Sequence, residues 1–283
     1  MPTVLEIIKK TTEFFVARGV ESARLNAELL VGHALGLKRM ELYLQFERVL
    51  GEGDLGKIRP LVKRRGQREP LQYILGETEF SGLRLKTDRR ALIPRPETEL
   101  LVEKIVGFFP TPPRTILDLG TGSGAIALAL ANAFPTAAVT GVDTSEDALT
   151  LARENAGALA LTDRVRLFHS DWFAAVPTES RFGLIVANPP YLSPCETVET
   201  SLEVRGFEPV SALQPSTGST GLEDLHTVIA GAPRFLATGG LLALETGPGQ
   251  HPELLELLRD VGFTRRVSEP DLTRRDRFLF AWL

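Results

Sequence analysis

The sequence predicts an α/β protein: a doubly wound, mostly parallel seven-stranded sheet, preceded by a small helical bundle and a β-hairpin. Three observations predict it. From Arg114 onward, apolar runs of strand length alternate with stretches at helical spacing. Those runs are continuously apolar, as strands are when crossover helices bury both faces of a parallel sheet. The first run empties into a glycine-rich turn, Gly120-Thr121-Gly122-Ser123-Gly124, directly ahead of a helical stretch.

The elements follow in order. Val4, Ile7, Ile8, Phe14 and Phe15 keep helical spacing, and Gly19 is the stop. Ala23 to Leu35 is a second helix closing on Gly36, and Met40 to Leu44 and Leu55 to Arg65 are two shorter ones. These set a helical domain over residues 1–70. In YILGETEFSGLRLKTD, Tyr73 to Asp88, Gly76 and Gly82 punctuate short alternating stretches, which predicts a hairpin within a linker over 71–90. Pro94 and Pro96 hold an extended entry to a helix over Glu97 to Val106, whose early acids suit its dipole.

The sheet domain takes residues 91–283. Its strands are TILDLG, AVTGVD, VRLFHS, GLIVANP and LLALETG, with helices at Ala125–Ala133, Glu146–Asn155 and Leu222–Leu236. FTRRVS and RFLFAWL follow without a helix between them and predict an antiparallel pair at the end of the sheet. Six strands are then parallel and one is reversed. Ligands of such a sheet lie outside the carboxyl ends of its strands.

Composition narrows the classes. Hydrophobic residues make up 43% and charged residues 24% of 283, as in an ordinary globular enzyme of two domains. The net charge of −4 is not that of a nucleic-acid-binding polycation. Residues 1–85 carry 14 Lys+Arg against 11 Asp+Glu; the rest carry 18 against 25. A single cysteine, Cys195, rules out an intrachain disulfide and points to a reducing compartment. The N-terminal stretch lacks a signal-peptide pattern, and no run of about 18 uncharged apolar residues is present. The expectation is a cytoplasmic monomer with no membrane association. His33, His169, His226 and His251 are scattered without metal-ligand spacing, so no metal is expected.

Candidate binding residues fall at successive strand ends. The Gly120–Gly124 turn lets a ligand approach the backbone and the free N–H groups of a helix N-terminus. Its GxGxG spacing differs from the GxGxxG of dinucleotide binders. Asp118, just before it, would repel a pyrophosphate and suits an ammonium, such as the amino group of a methionine moiety. Asp143 ends the second strand, where an acid accepts hydrogen bonds from both ribose hydroxyls. Asp171 and Trp172 end the third; the acid suits an adenine amino group and the indole its ring. Together they describe a pocket for a nucleoside with a methionine-like tail: S-adenosylmethionine.

The fourth strand runs into Asn188-Pro189-Pro190-Tyr191. Neither proline can donate to a ladder, so the strand stops on a stiff polar-aromatic tip. An amide or aromatic-amine nitrogen is a poor nucleophile because its lone pair is delocalised. Two oxygen acceptors that take its two hydrogens would localise that lone pair and aim it. The Asn188 side-chain oxygen is one, and a backbone carbonyl in Asn188–Pro190 is the other. The prolines hold those carbonyls rigidly, and Tyr191 offers a flat face.

DLGTGSG, GVD, SDWF and NPPY, in this order, resemble class I (Rossmann-like) S-adenosylmethionine-dependent methyltransferases that modify planar amino nitrogens. More narrowly the chain resembles the HemK/PrmC family, the glutamine-N5 methyltransferases of peptide-chain release factors. EPLQYILGETEFSG, LIPRPETE, VRGFEPVSAL, GLEDL and GGLLALETG carry that likeness, which is thinnest over the first 65 residues. It implies methylation of the glutamine amide in the Gly-Gly-Gln loop of a release factor docked with help from the helical domain. It also implies cofactor contacts from Gly120 to Gly124, Asp143, Trp172 and Asn188, with the glutamine held by Asn188 to Tyr191. Two positions depart from the pattern: Ala187 stands where serine is common, and DLTRRDR replaces a turn richer in glycine. The alternatives are a ribosomal-protein glutamine methyltransferase and a DNA adenine-N6 methyltransferase. The latter must flip a base and grip phosphates, which the acidic sheet half does not suit. A non-catalytic adaptor binding S-adenosylmethionine and the release factor has no need of NPPY. No direct, specific nucleic-acid contact is expected, and Lys63, Arg64, Arg65 and Arg68 make either a solvated helix face or a patch touching the release factor, or ribosomal RNA through it.

Overall fold

The computed structural model describes residues 1–215 and 217–283. Its contacts divide the chain into two compact units. One comprises Met1–Glu77 with Ser201–Phe207, the other Thr78–Thr200 with Glu208–Leu283.

The chain opens on five helices: α1 (Val4–Val16), α2 (Ala23–Leu35), α3 (Arg39–Tyr43), α4 (Glu52–Gly66) and α5 (Leu71–Leu75). A capping box starts α1, with Thr3 and Glu6 each bonding the other's backbone N–H. Val4, Ile8 and Phe15 of α1, Leu30 and Val31 of α2, and Leu55 and Ile58 of α4 form the core of the first unit. The stretch expected to open a hairpin at Tyr73 is helical as far as Leu75, and Gly76 at φ +79° ends α5 as a left-handed cap.

There follow the hairpin β1 (Glu77–Phe80) and β2 (Leu83–Lys86), α6 (Pro96–Phe108), β3 (Thr115–Leu119), α7 (Ala125–Ala133), β4 (Ala138–Asp143), α8 (Glu146–Ala158), β5 (Val165–His169) and β6 (Phe182–Ala187). Next come two short helices that the sequence reading did not anticipate, α9 (Pro194–Glu199) and α10 (Leu202–Phe207), then α11 (Glu223–Gly231), β7 (Leu236–Glu245), α12 (His251–Asp260), β8 (Arg265–Pro270) and β9 (Asp276–Trp282). α10 packs in the first unit, where Glu203 receives Arg65 at 2.9 Å and Arg68 at 2.5 Å.

The seven-stranded sheet has the order β5-β4-β3-β6-β7-β9-β8. β9 is antiparallel to both its neighbours, and the other six strands run one way. The expected antiparallel pair, β8 and β9, does end the sheet, with the reversed strand β9 between β7 and the edge strand β8. Burial explains the placement: Phe278, Leu279, Phe280 and Ala281 are covered on both faces, while the half-polar RRVSEP of β8 suits an edge. Ile116 and Leu117, Leu184 and Ile185, Ala243 and Leu244 split between two cores, one under α6 and α7 and one under α11 and α12. The helix expected over Leu222–Leu236 ends early. Pro233 cannot donate to a helical ladder, so the chain passes through a 3-10 turn over Ala232–Arg234 into β7. Among the described residues no helix is long and apolar enough to cross a membrane.

Candidate active site

Sheet register sets the rim. Leu119 pairs with Val142 and with Ala187, Asp143 with His169, and Ala187 with Leu244. The residues just beyond these pairs share one edge: the glycine turn, Thr144, Ser170, Asn188 and, at the end of β7, Glu245.

The glycine turn is held from below. Gly120 and Thr121 both donate to the Val142 carbonyl at 2.9 Å, and Asn155 donates to the Ser123 carbonyl at 2.9 Å. Gly124 sits at φ +83° as the N-cap of α7, with Leu128 and Ala152 close where a Cβ would stand. Any other residue there meets both backbone strain and crowding.

Asp118 is fully buried beneath the turn. Its Oδ2 accepts from Thr121 Oγ1 at 2.6 Å and from the Ala127 N–H at 3.1 Å, while its Oδ1 is buried with no partner. Burial is the main force on this carboxyl and pushes it up to about 7. Asp143 is tied at both oxygens, Oδ2 to the Gly122 N–H at 2.8 Å and Oδ1 to the Ser145 N–H at 2.9 Å. Ser145, not Asp143, caps α8. Trp172 adopts φ +45°, and its ring lies against Gly120.

Two cavities open on this rim. One, of about 130 Å³, is lined by the glycine turn, Asp143, Ala148 and Asn188 on one side and by Arg90, Pro94, Arg95 and Thr98 on the other. The second, of about 160 Å³, is lined by Asp171, Trp172, Pro190 and Asp224. Gly120, Asp143, Thr144, Asn188 and Ser211 line both, so the two communicate.

Behind Asn188 runs a chain of hydrogen bonds. Asn188 Nδ2 donates to Thr98 Oγ1 at 3.3 Å, and Thr98 donates to Glu245 Oε2 at 2.7 Å. Tyr191 donates its hydroxyl proton to Glu245 Oε1 at 3.2 Å and accepts from Arg277 at 3.0 Å. Burial pushes the Glu245 carboxyl and the Tyr191 phenol up from their ordinary ranges. The loop beyond is pinned by Gln250, which donates to the Tyr191 carbonyl at 3.0 Å and the Gly221 carbonyl at 3.3 Å.

Gly120, Thr121, Gly122, Ser123, Asp143, Asp171, Trp172, Asn188 and Pro190 thus line the joined cavities. Asp118, Gly124, Pro189 and Tyr191 stand behind the wall. The sequence alone gave no place in the site to Arg90, Pro94, Arg95, Thr98, Ser211, Asp224 or Glu245. Its one available signal was that LIPRPETE and VRGFEPVSAL are proline-bearing, irregular stretches, the kind that carry functional loops. Glu208 joins those two stretches, accepting the Ile93 N–H at 3.2 Å and Arg95 at 2.6 Å.

Sheet order, reversed penultimate strand and glycine rim define the class: an α/β, class I methyltransferase. Solved structures share the fold. The T. Thermophilus 16S rRNA N2 G1207 methyltransferase, in complex with AdoMet and guanosine, gives a TM-score of 0.53 at 22% identity, covering 73% of this chain and 49% of that one. A methyltransferase from Pyrococcus furiosus gives 0.52 at 20%, covering 71% and 89%. Residues 6–76 match the family model of the PrmC N-terminal domain, and residues 96–204 that of the methyltransferase small domain. Proteins called release factor glutamine methyltransferase are similar over most of their length. That of Rhodopirellula baltica is 41% identical, covering 87% of this chain and 84% of its own. That of Geobacter sulfurreducens is 40% identical, covering 97% and 95%. The chain belongs to the release factor glutamine methyltransferase family.

Proposed function

We propose that this protein methylates the side-chain amide nitrogen of the glutamine in the Gly-Gly-Gln loop of peptide-chain release factors, with S-adenosylmethionine as methyl donor, in the cytoplasm. The observation that carries this reading is Asn188. It opens on the joined cavities with its NH2 engaged behind it, in a chain 40% identical over nearly its whole length to relatives named for that activity.

The residues fit the cofactor. Asp118 lies buried beneath the turn with its Oδ1 unpartnered, and an ammonium seated on the turn would offset part of the cost of burying that carboxylate. The backbone of Gly120 to Gly124 cradles the same tail, Asp143 accepts the ribose hydroxyls, and Asp171 with Trp172 holds the adenine. When bound, S-adenosylmethionine supplies an electrophilic methyl group on a positively charged sulfur. The chain then has to present the glutamine nitrogen. Asn188 Oδ1 and a carbonyl of the Asn188–Pro190 stretch accept hydrogen bonds from its two N–H groups, and the methylated nitrogen then sheds one of those protons to water. Pro189 and Pro190 fix the spacing of those acceptors. Tyr191, behind the cavity wall with its hydroxyl held between Glu245 and Arg277, anchors the tip that carries those acceptors. The helical domain (residues 1–70) docks the factor, the 71–90 segment links, and residues 91–283 perform the transfer.

The test is radiolabel transfer from S-adenosylmethionine to a purified release factor and to its loop Gln→Ala variant. Labelling of the first alone supports the reading. Equal labelling of both rules it out.

A further inference from the structure

We propose that Thr98 and Glu245 are positioning residues that fix which way round the Asn188 amide sits, with its oxygen toward the substrate; this rests on the methyl-transfer reading above. A guanidinium only donates, so the Tyr191 hydroxyl accepts from Arg277 and must spend its one proton on Glu245 Oε1. Thr98 Oγ1 lies 2.7 Å from Glu245 Oε2, and in the ionised state of Glu245, which the nearby Arg277 guanidinium favours against burial, both carboxylate oxygens only accept. Thr98 therefore spends its one proton there and has only lone pairs left for Asn188. Asn188 can answer only with Nδ2, at 3.3 Å. Its Oδ1 is thereby turned from Thr98 to the cavity, as an acceptor. Polarity runs inward from both ends to Glu245, from Arg277 through Tyr191 and from Asn188 through Thr98. An unsupported amide could rotate and present its NH2 to the substrate amide, donor against donor.

Glu245→Gln is nearly isosteric and should reverse one arm. Tyr191 still needs an acceptor, so the new amide oxygen at position 245 turns to it and the new NH2 faces Thr98. Thr98 then accepts from residue 245, and its proton goes to Asn188, which must present Oδ1 inward. The expected result is a kcat lower by about 100-fold, the scale of one preorganised catalytic hydrogen bond. Affinity for S-adenosylhomocysteine should stay within about threefold, a change below about 1 kcal/mol. Thr98→Val should lower kcat in the same way, and Thr98→Ser, which keeps the hydroxyl, should restore it. A nuclear Overhauser contact between the Asn188 amide protons and the Thr98 methyl should be present in the wild-type protein and lost in Glu245→Gln. Wild-type kcat in Glu245→Gln, equal losses in Thr98→Ser and Thr98→Val, or an unchanged amide contact would each overturn the proposal. A wild-type protein that labels no release factor overturns the functional reading instead, and the amide contact still tests the orientation.

Discussion

The carboxylate of Asp143 accepts the backbone N–H of Gly122 at 2.8 Å, tying the end of β4 to the turn after β3. The other oxygen accepts the Ser145 N–H, so both face donors from the chain itself. The acid proposed to bind the ribose therefore also shapes the glycine turn proposed to cradle the methionine tail. Asp143→Asn puts an NH2 against one of those N–H groups. Its affinity for S-adenosylhomocysteine should fall by about 10- to 100-fold, roughly 1.4 to 2.8 kcal/mol, measured by calorimetry. An affinity equal to wild type would remove both roles.

Asp118 should make cofactor binding pH-dependent. Burial pushes its carboxyl up to about 7, and a bound ammonium favours the ionised form. Affinity for S-adenosylhomocysteine should therefore rise as pH rises from about 6 to 8, with proton release on binding. The sign for stability is opposite. Below about 7 the folded carboxyl holds a proton that the unfolded chain has lost by about 4. The melting temperature of the ligand-free protein should thus fall as pH rises through that window. Asp143 and Glu245, also raised by burial, push the same way. Asp118→Asn should flatten both slopes, and calorimetry across pH checks the first.

The turn glycines should separate stability from binding. A Cβ on Gly124 would stand 3.1 Å from Leu128 and 3.2 Å from Ala152, at φ +83°. Gly124→Ala should cost about 2 kcal/mol or more in chemical unfolding. Gly122, at φ +56°, has nothing within 4 Å and lines the cavity. Gly122→Ala should cost about 1 kcal/mol in strain and lose cofactor affinity instead.

Glu203 should hold its segment in the helical unit. Arg65, only 7% exposed, donates to it at 2.9 Å, and Arg68 closes a two-pronged contact. Glu203→Ala leaves a buried guanidinium short of its partner and should cost about 2 to 3 kcal/mol. Hydrogen exchange should accelerate across 201–207, while β3 to β6 keep their protection.

The sheet was legible because strands buried on both faces are written as unbroken apolar runs, and β3 to β6 fell where TILDLG, AVTGVD, VRLFHS and GLIVANP stand. The place of β9 was not legible, since two adjacent strand-like runs fix a pairing but not which of them inserts. Asp143 and Asp171 could be read onto the rim because each stands at or just past the end of a strand. Thr98, Glu245 and Arg277 could not, because only the parallel register of β6 and β7 and the packing of α6 and β9 bring them to Asn188. Nothing local marks a threonine in the first turn of a helix as the partner of an asparagine 90 residues away.

The most direct test of the central claim is mass spectrometry of release-factor loop peptides after incubation with the protein and S-adenosylmethionine. The expected result is the mass of one added methylene on the glutamine side chain of the Gly-Gly-Gln loop, absent when Asn188→Ala replaces the wild-type protein. An unmodified loop glutamine, or the same modification produced by Asn188→Ala, would contradict it.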